Sequence, residues 1–348
     1  MNKIGSRIET FDVWKGIIIF LVVLGHAAGG IIHSVPLSFE DEGNAVVVLF
    51  HFIYSFHMPA FFLIAGVFSS SWLKKSFNLA LRDKIKRLMI PYFIWGFILA
   101  SAMQVAGGYT NGGLGLKEYL WSPVIPFSEY WFLYVLFFVH WLYYAISHLV
   151  KMETEGKYVF LVMASVLYII KPWMPAFWIS ASLCQYTIYF AIGAVASQVL
   201  HSLVCHTKPS LYKLGCGVLA FIGINIIFLH FMIHESDSSY PVLSWYLGFF
   251  IAFINTVASL FLSIYLEHLI AIIKTILSFW GRYSMEIYCT HLLVLSSMRI
   301  LVLKIVGKQV DYWGFMWEIT LFTMIVLSIV LYKFPKNYKV YKVVFGLK

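Results

Sequence analysis

The sequence is short of charge. Asp, Glu, Lys and Arg make up 12% of 348 residues, about half the share of an ordinary soluble domain, so a large water-facing surface is excluded. Cysteine is scarce as well: Cys184, Cys205, Cys216 and Cys289 form no CxxC pair and no metal-ligand spacing, which argues against a disulfide framework or a zinc site. There is no internal repeat, no low-complexity tract and no polar stretch long enough for a soluble domain. The N-terminal MNKIGSRIETFDVWKG runs into apolar residues without a small-residue cleavage motif, so a retained first span is expected rather than a signal peptide.

What is present is apolar. Hydrophobic residues account for 61% and aromatic residues for 19%, with mean hydropathy +0.83. A bilayer-crossing helix needs about 20 mostly apolar residues. Runs of that kind occur near 12–31, 45–70, 88–107, 129–150, 158–172, 177–200, 212–233, 242–266, 283–303 and 314–333. The predicted fold is therefore an all-α, polytopic membrane helix bundle of about ten transmembrane helices. It forms a single domain over 1–348, with a short basic tail at 334–348.

The basic residues orient it. With the N-terminus inside, 20 lysines and arginines fall on cytoplasmic segments and 4 on the opposite side, with Arg299 inside a span. That asymmetry is the positive-inside pattern and predicts both termini in the cytoplasm. It also accounts for the net charge of +9 without nucleic acid, because the charge is spread over many loops.

Ionisable groups inside a bilayer are expensive and point to function by default. Lys15 and His26 are eleven residues apart on the first helix, which puts them on one face about 16 Å apart along the axis. A cation at the mouth and a titratable imidazole deeper in would suit an anionic cytosolic molecule whose reactive end reaches inward. The competing reading makes His26 a hydrogen-bonded packing histidine and Lys15 a snorkelling anchor. His57 precedes Pro59 on the second helix, where a kink opens backbone toward a cavity; a satisfied core histidine is the alternative. Lys84 and Arg87 are i,i+3 neighbours able to grip phosphates, or anchors to lipid headgroups. Glu129 and Trp131 open the fourth helix, and Ser284, Tyr288 and His291 lie along one face of the ninth.

Together these residues resemble the acyltransferase family 3 of bacterial membrane proteins, which includes many polysaccharide O-acetyltransferases. The resemblance rests on Lys15 and His26 in DVWKGIIIFLVVLGH, on FHMPAFFLIAG, and on Lys84 and Arg87 before Pro91 and Tyr92. Trp131-Phe132-Leu133 and Tyr283-Ser284…Ile287-Tyr288…His291 extend it over nearly the whole chain. Ala65 stands where a serine is usual, and Lys15 and Lys84 stand where arginine is common, which keeps charge but loses the planar fork.

The resemblance implies transfer of an acetyl or other short acyl group from cytosolic acyl-CoA, normally acetyl-CoA, to a hydroxyl of a cell-surface or lipid-linked glycan. It implies no metal, a bacterial inner-membrane location, and partner glycan-assembly proteins. His26 would be the general base, and Lys15, Lys84 and Arg87 would meet the CoA phosphates. Oxyanion or acceptor contacts would fall to Glu129, Trp131, Ser284, Tyr288, His291 or His57. The rival from the residues alone is a transporter or flippase of glycans or lipid-linked precursors, although the paired broken helices of such proteins are missing.

Overall fold

The computed structural model describes residues 8–37, 43–107, 114–150, 153–175, 179–207, 210, 212, 215, 217–219, 221–227, 241–269, 271–307, 310–333 and 338–347. Among them every regular element is helical. In chain order the principal helices are α1 (Glu9–Ile32), α2 (Ala45–Val67), α3 (Phe77–Ala106), α4 (Trp131–Leu149), α5 (Glu153–Ile170) and α6 (Ser180–His206). They are followed by α7 (Pro241–Leu269), α8 (Ala271–Arg282), α9 (Ser284–Val306), α10 (Tyr312–Lys333) and the short α11 (Lys339–Val344). Of the helices α1 to α11, nine, all but α8 and α11, are long and apolar enough to cross a membrane. Of the run expected to span at 212–233, residues 212, 215, 217–219 and 221–227 are described, and all of them are helical. Large apolar side chains such as Val105, Val162, Ile305 and Ile325 stay exposed, as suits a surface covered by lipid rather than water.

Local chemistry sets the boundaries. Asn44 caps α2 by accepting from the Val46 amide at 2.9 Å. Pro59 sits inside α2 and removes one helical hydrogen bond. The third span begins earlier than hydropathy indicates, because Phe77–Lys84 runs through a π-turn at Ile85–Met89 into the apolar Ile90–Ala106.

Helix α1 is central, packed by α2, α7, α8, α9 and α10. Lipid tails are as apolar as leucine, so helices in a bilayer associate through close packing and interhelical hydrogen bonds. Both are present. Where α1 crosses α8, a Cβ on Gly281 would fall on the Asp12 carbonyl and one on Gly16 on the Leu277 carbonyl; Gly66 and Gly193 bring α2 and α6 together in the same way. Trp14 Nε1–H donates to Ser259 Oγ on α7 at 2.8 Å. At the foot of α1, Glu9 pairs with Lys274 at 2.9 Å and accepts from Ser278, while Thr10 donates to Glu267.

The helix α8 has no counterpart among the expected spans. Its 12 residues are too few to cross a bilayer, and it lies across the foot of α1 instead.

Candidate functional site

His26, His57, Glu129, Tyr288 and His291 converge on one region of the bundle, along with Tyr54. The His26 Nδ1 and the Tyr54 hydroxyl share a hydrogen bond of 3.1 Å. The other ring nitrogen of His26, Nε2, lies 3.9 Å from a Glu129 carboxylate oxygen, beyond direct hydrogen bonding and wide enough for a water or hydroxyl to bridge. The His26 and His291 rings are 5.1 Å apart between centroids, and the Tyr54 and His57 rings 4.8 Å apart.

The two partner histidines are held as fixed tautomers. His57 Nδ1–H donates to the Ile53 carbonyl at 2.7 Å. His291 Nδ1–H donates to the Tyr288 carbonyl at 2.8 Å and to that of Ile287 at 3.1 Å. In a neutral imidazole this leaves Nε2 of His291 as an acceptor, and that atom is buried without a hydrogen-bond partner among the described residues.

Glu129 is aimed by its backbone. It sits in a 3₁₀ turn, Ser128–Tyr130, entering α4, and Ser128 holds φ at +47°, a left-handed conformation that a non-glycine residue rarely adopts. The Glu129 carbonyl accepts the Tyr288 hydroxyl of α9, and Tyr130 donates to the Cys289 carbonyl at 2.7 Å. These two bonds fasten the strained turn to α9. Its side chain is still 40% exposed while that of His26 is 10% exposed, so the carboxylate forms the open edge of the cluster.

Further along α1 and α9, buried Arg299 donates to the Gly30 carbonyl at 2.6 Å, and a Cβ on Gly30 would crowd the guanidinium. Gly30 is one turn beyond His26, so a permanent positive charge stands about 6 Å along the axis from the imidazole's own level.

The basic residues lie elsewhere. Lys15 pairs with Asp12 at 2.7 Å, one turn away on α1. The Lys84 ammonium stands 4.8 Å above the Trp72 ring. Asp83 bridges Lys75 at 2.9 Å and Arg87 at 3.6 Å, and Arg87 is exposed. Trp131 packs against Tyr186 of α6 at 5.2 Å. Ser284 opens α9, seven residues and about 10 Å along the axis from His291.

Sequence reasoning missed Tyr54, the closest polar partner of His26. Its one signal was its place three residues before His57, on the same face of α2. The strained turn at Ser128 left no trace in the residue pattern.

The arrangement brings an imidazole, a tyrosine hydroxyl and a carboxylate together inside a helix bundle, with Arg299 one turn further along and Lys15, Lys84 and Arg87 engaged with other residues. Comparison with known proteins gives it a family. Residues 8–333 match the family model described as an acyltransferase domain. Nodulation protein NolL of Sinorhizobium fredii (strain NBRC 101917 / NGR234) is 34% identical over 133 residues, which are 38% of this chain and 34% of that protein. Its counterpart in Mesorhizobium japonicum (strain LMG 29417 / CECT 9101 / MAFF 303099) is 28% identical over 134 residues, 35% of each chain. The match thus spans about a third of the length of these relatives. No solved structure matches. Because the family match runs over nearly all of its length, this multi-pass, all-helical chain belongs to the acyltransferase family.

Proposed function

We propose that the protein is a bacterial inner-membrane O-acyltransferase that moves an acetyl or other short acyl group from cytosolic acyl-CoA to a hydroxyl of a cell-surface or lipid-linked glycan. The observation that carries this reading is the environment of His26: Tyr54 on one ring nitrogen and the Glu129 carboxylate across a 3.9 Å gap from the other.

A sugar hydroxyl is a weak nucleophile at neutral pH and needs a base in reach; histidine is the usual one. With Nδ1–H donated to Tyr54, Nε2 of His26 carries the lone pair and faces the gap. The acceptor hydroxyl gives its proton to Nε2 as its oxygen bonds to the thioester carbon. The tetrahedral oxyanion collapses, the C–S bond breaks, and the imidazolium returns the proton to the departing CoA thiolate. Glu129 stabilises the imidazolium while it exists.

Donors for the oxyanion are sought among Tyr288, Ser284, His291, His57 and Trp131. The Tyr288 hydroxyl is already donated to Glu129, and neutral His291 accepts at Nε2, which leaves both less suited to that task than a donor supplied on substrate binding. Lys15, Lys84 and Arg87 suit the phosphates of CoA. Asp83 holds Lys75 and Arg87 in the meantime, a pairing that a diphosphate would displace.

The test is release of CoA thiol from radiolabelled acetyl-CoA by purified protein, with water taking the place of the acceptor hydroxyl. His26→Ala should abolish release while the amount of protein in the membrane stays unchanged. Activity retained in that variant would sink the assignment of the base. Surface glycans compared with and without the gene, by NMR of O-acetyl protons, identify the acceptor.

A further inference from the structure

We propose that the C-terminal segment 338–347 is a positioning strap for the acyl-donor site, tying the π-turn that carries Arg87 to the first turn of α9. The inference rests on the reading of Lys84 and Arg87 as the grip on CoA phosphates. It concerns a segment that lies beyond the family match, which ends at residue 333.

Four contacts anchor the strap. Tyr341 on α11 donates to the Glu286 carboxylate of α9 at 3.2 Å. Burial and that neighbouring carboxylate push the Tyr341 phenol well above its ordinary pKa, so it remains a donor at neutral pH. Trp95 of α3 donates its indole N–H to the Val344 carbonyl at 3.1 Å and stacks on Phe345, with ring centroids 5.2 Å apart. The fourth contact is the closest. Gly346 holds φ at +63°, and a Cβ there would lie 2.6 Å from the Lys86 carbonyl oxygen and 2.7 Å from Arg87 Cα.

The strap is built to end in that place. Gly346 N–H bonds the Val343 carbonyl and Leu347 N–H the Lys342 carbonyl, the paired bonds of a glycine-terminated helix. The left-handed glycine turns the chain so that its backbone lies flat on the backbone of Lys86 and Arg87, with no side chain between them.

Such a brace matters because of what it holds. A π-turn is a rare interruption of an α-helix and is frequent at functional sites. If Ile85–Met89 relaxed to α-helical phasing, the residues before it would swing by about 100° around the axis relative to those after it. Lys84 and Arg87 would then point away from their present direction. The same strap reaches, through Glu286, the helix that carries Tyr288 and His291. It therefore sets the spacing between the phosphate grip and the proton-transfer cluster. These are positioning residues, acting through Arg87 and not on the substrate.

The experiment uses the full chain in detergent, with acetyl-CoA as probe and CoA thiol release as signal. Gly346→Val should raise KM for acetyl-CoA about tenfold, the size of one lost charge-assisted contact, with kcat within about twofold. Trp95→Phe, which keeps the stack and loses the indole bond, should give a smaller shift in the same direction and keeps the test open if the glycine variant fails to fold. Amide hydrogen exchange at residues 85–90 should quicken in both. In an Arg87→Ala background, Gly346→Val should add little, because the two act on one contact.

Faster exchange with an unchanged KM reduces the strap to a stability element and overturns the proposal, as does unchanged exchange. If Arg87→Ala raises KM and the strap variants do not, the strap alone fails. If Arg87→Ala leaves KM unaltered, or wild type releases no CoA, the donor-site reading fails and the strap's role falls with it.

Discussion

At the scale of single residues, the cluster around His26 was legible wherever a side chain costs something in lipid. His26, Glu129 and His291 stand out in apolar runs for that reason. Tyr54 does not, since a tyrosine in a membrane helix is by default a packing or interfacial residue, and only the fold brings it to 3.1 Å from Nδ1 of His26. Its role makes a sharp prediction. Tyr54→Phe keeps the ring that packs against His57 and Phe50 but removes the group that fixes the imidazole. The variant should lose roughly tenfold in kcat, the order of one hydrogen bond of about 1.4 kcal/mol, with KM for acetyl-CoA unchanged. A fall in KM-linked binding with intact kcat would assign Tyr54 to substrate contact instead. Glu129→Gln is a second case. The amide retains the backbone bond from Tyr288 but no longer stabilises an imidazolium, so kcat should fall while protein yield and thermal stability hold. Equal activity in the two forms, measured by CoA release, would remove charge stabilisation from the mechanism.

At the scale of elements, hydropathy finds helices by length, and this explains what it found and what it missed. Long apolar runs such as Glu9–Ile32 and Ala45–Val67 are bilayer-sized and read directly. Helix α8, with 12 residues, reads as a loop between spans, and its importance lies in a backbone crossing that composition does not reveal. The π-turn is equally silent, because its residues, Ile85–Met89, have the same character as those of an ordinary helix end. The crossing can be tested. Gly281→Val would drive a side chain into the Asp12 carbonyl, beyond the range of side-chain adjustment, and should cost at least the 1–3 kcal/mol (about) typical of overpacking. Gly248 on α7 faces open space, and Gly248→Ala should be neutral or slightly stabilising through helix propensity. The fraction of monodisperse protein surviving a heat step, followed by size-exclusion chromatography, separates the two. Equal survival would mean that the α1–α8 crossing adapts more freely than its geometry indicates.

At the scale of the whole molecule, contacts between distant parts of the chain constrain how often it crosses the membrane. Thr10 donates to Glu267, and Glu9 pairs with Lys274, so the start of α1 and the end of α7 share one side. Between those points lie the described spans α1 to α7, which are seven. An odd number of crossings would leave the two ends on opposite faces. The strap makes the same demand, since Gly346 rests on Arg87 and seven described spans, α3 to α7 with α9 and α10, separate them. One further crossing before α7 satisfies both. The depth of Asn225 supports its position between Thr207 and Pro241: the Asn225 amide exchanges hydrogen bonds of 2.9 and 3.0 Å with Asn255, at the middle of α7, and Asn255 also reaches Ser55, at the middle of α2. A residue bonded to the middle of one span, at the point where that span meets the middle of another, belongs at mid-membrane. The prediction is that the expected run at 212–233 crosses, giving ten spans with both termini on the cytoplasmic side. Alkaline phosphatase fused after Thr207 should be inactive and fused after Val242 active, with a fusion after Leu149 inactive and one after Trp121 active as controls. Equal signals from the Thr207 and Val242 fusions would deny the crossing, and would place Lys274, Arg282 and the basic tail on the face opposite Arg87, against both the contacts of the fold and the distribution of positive charge.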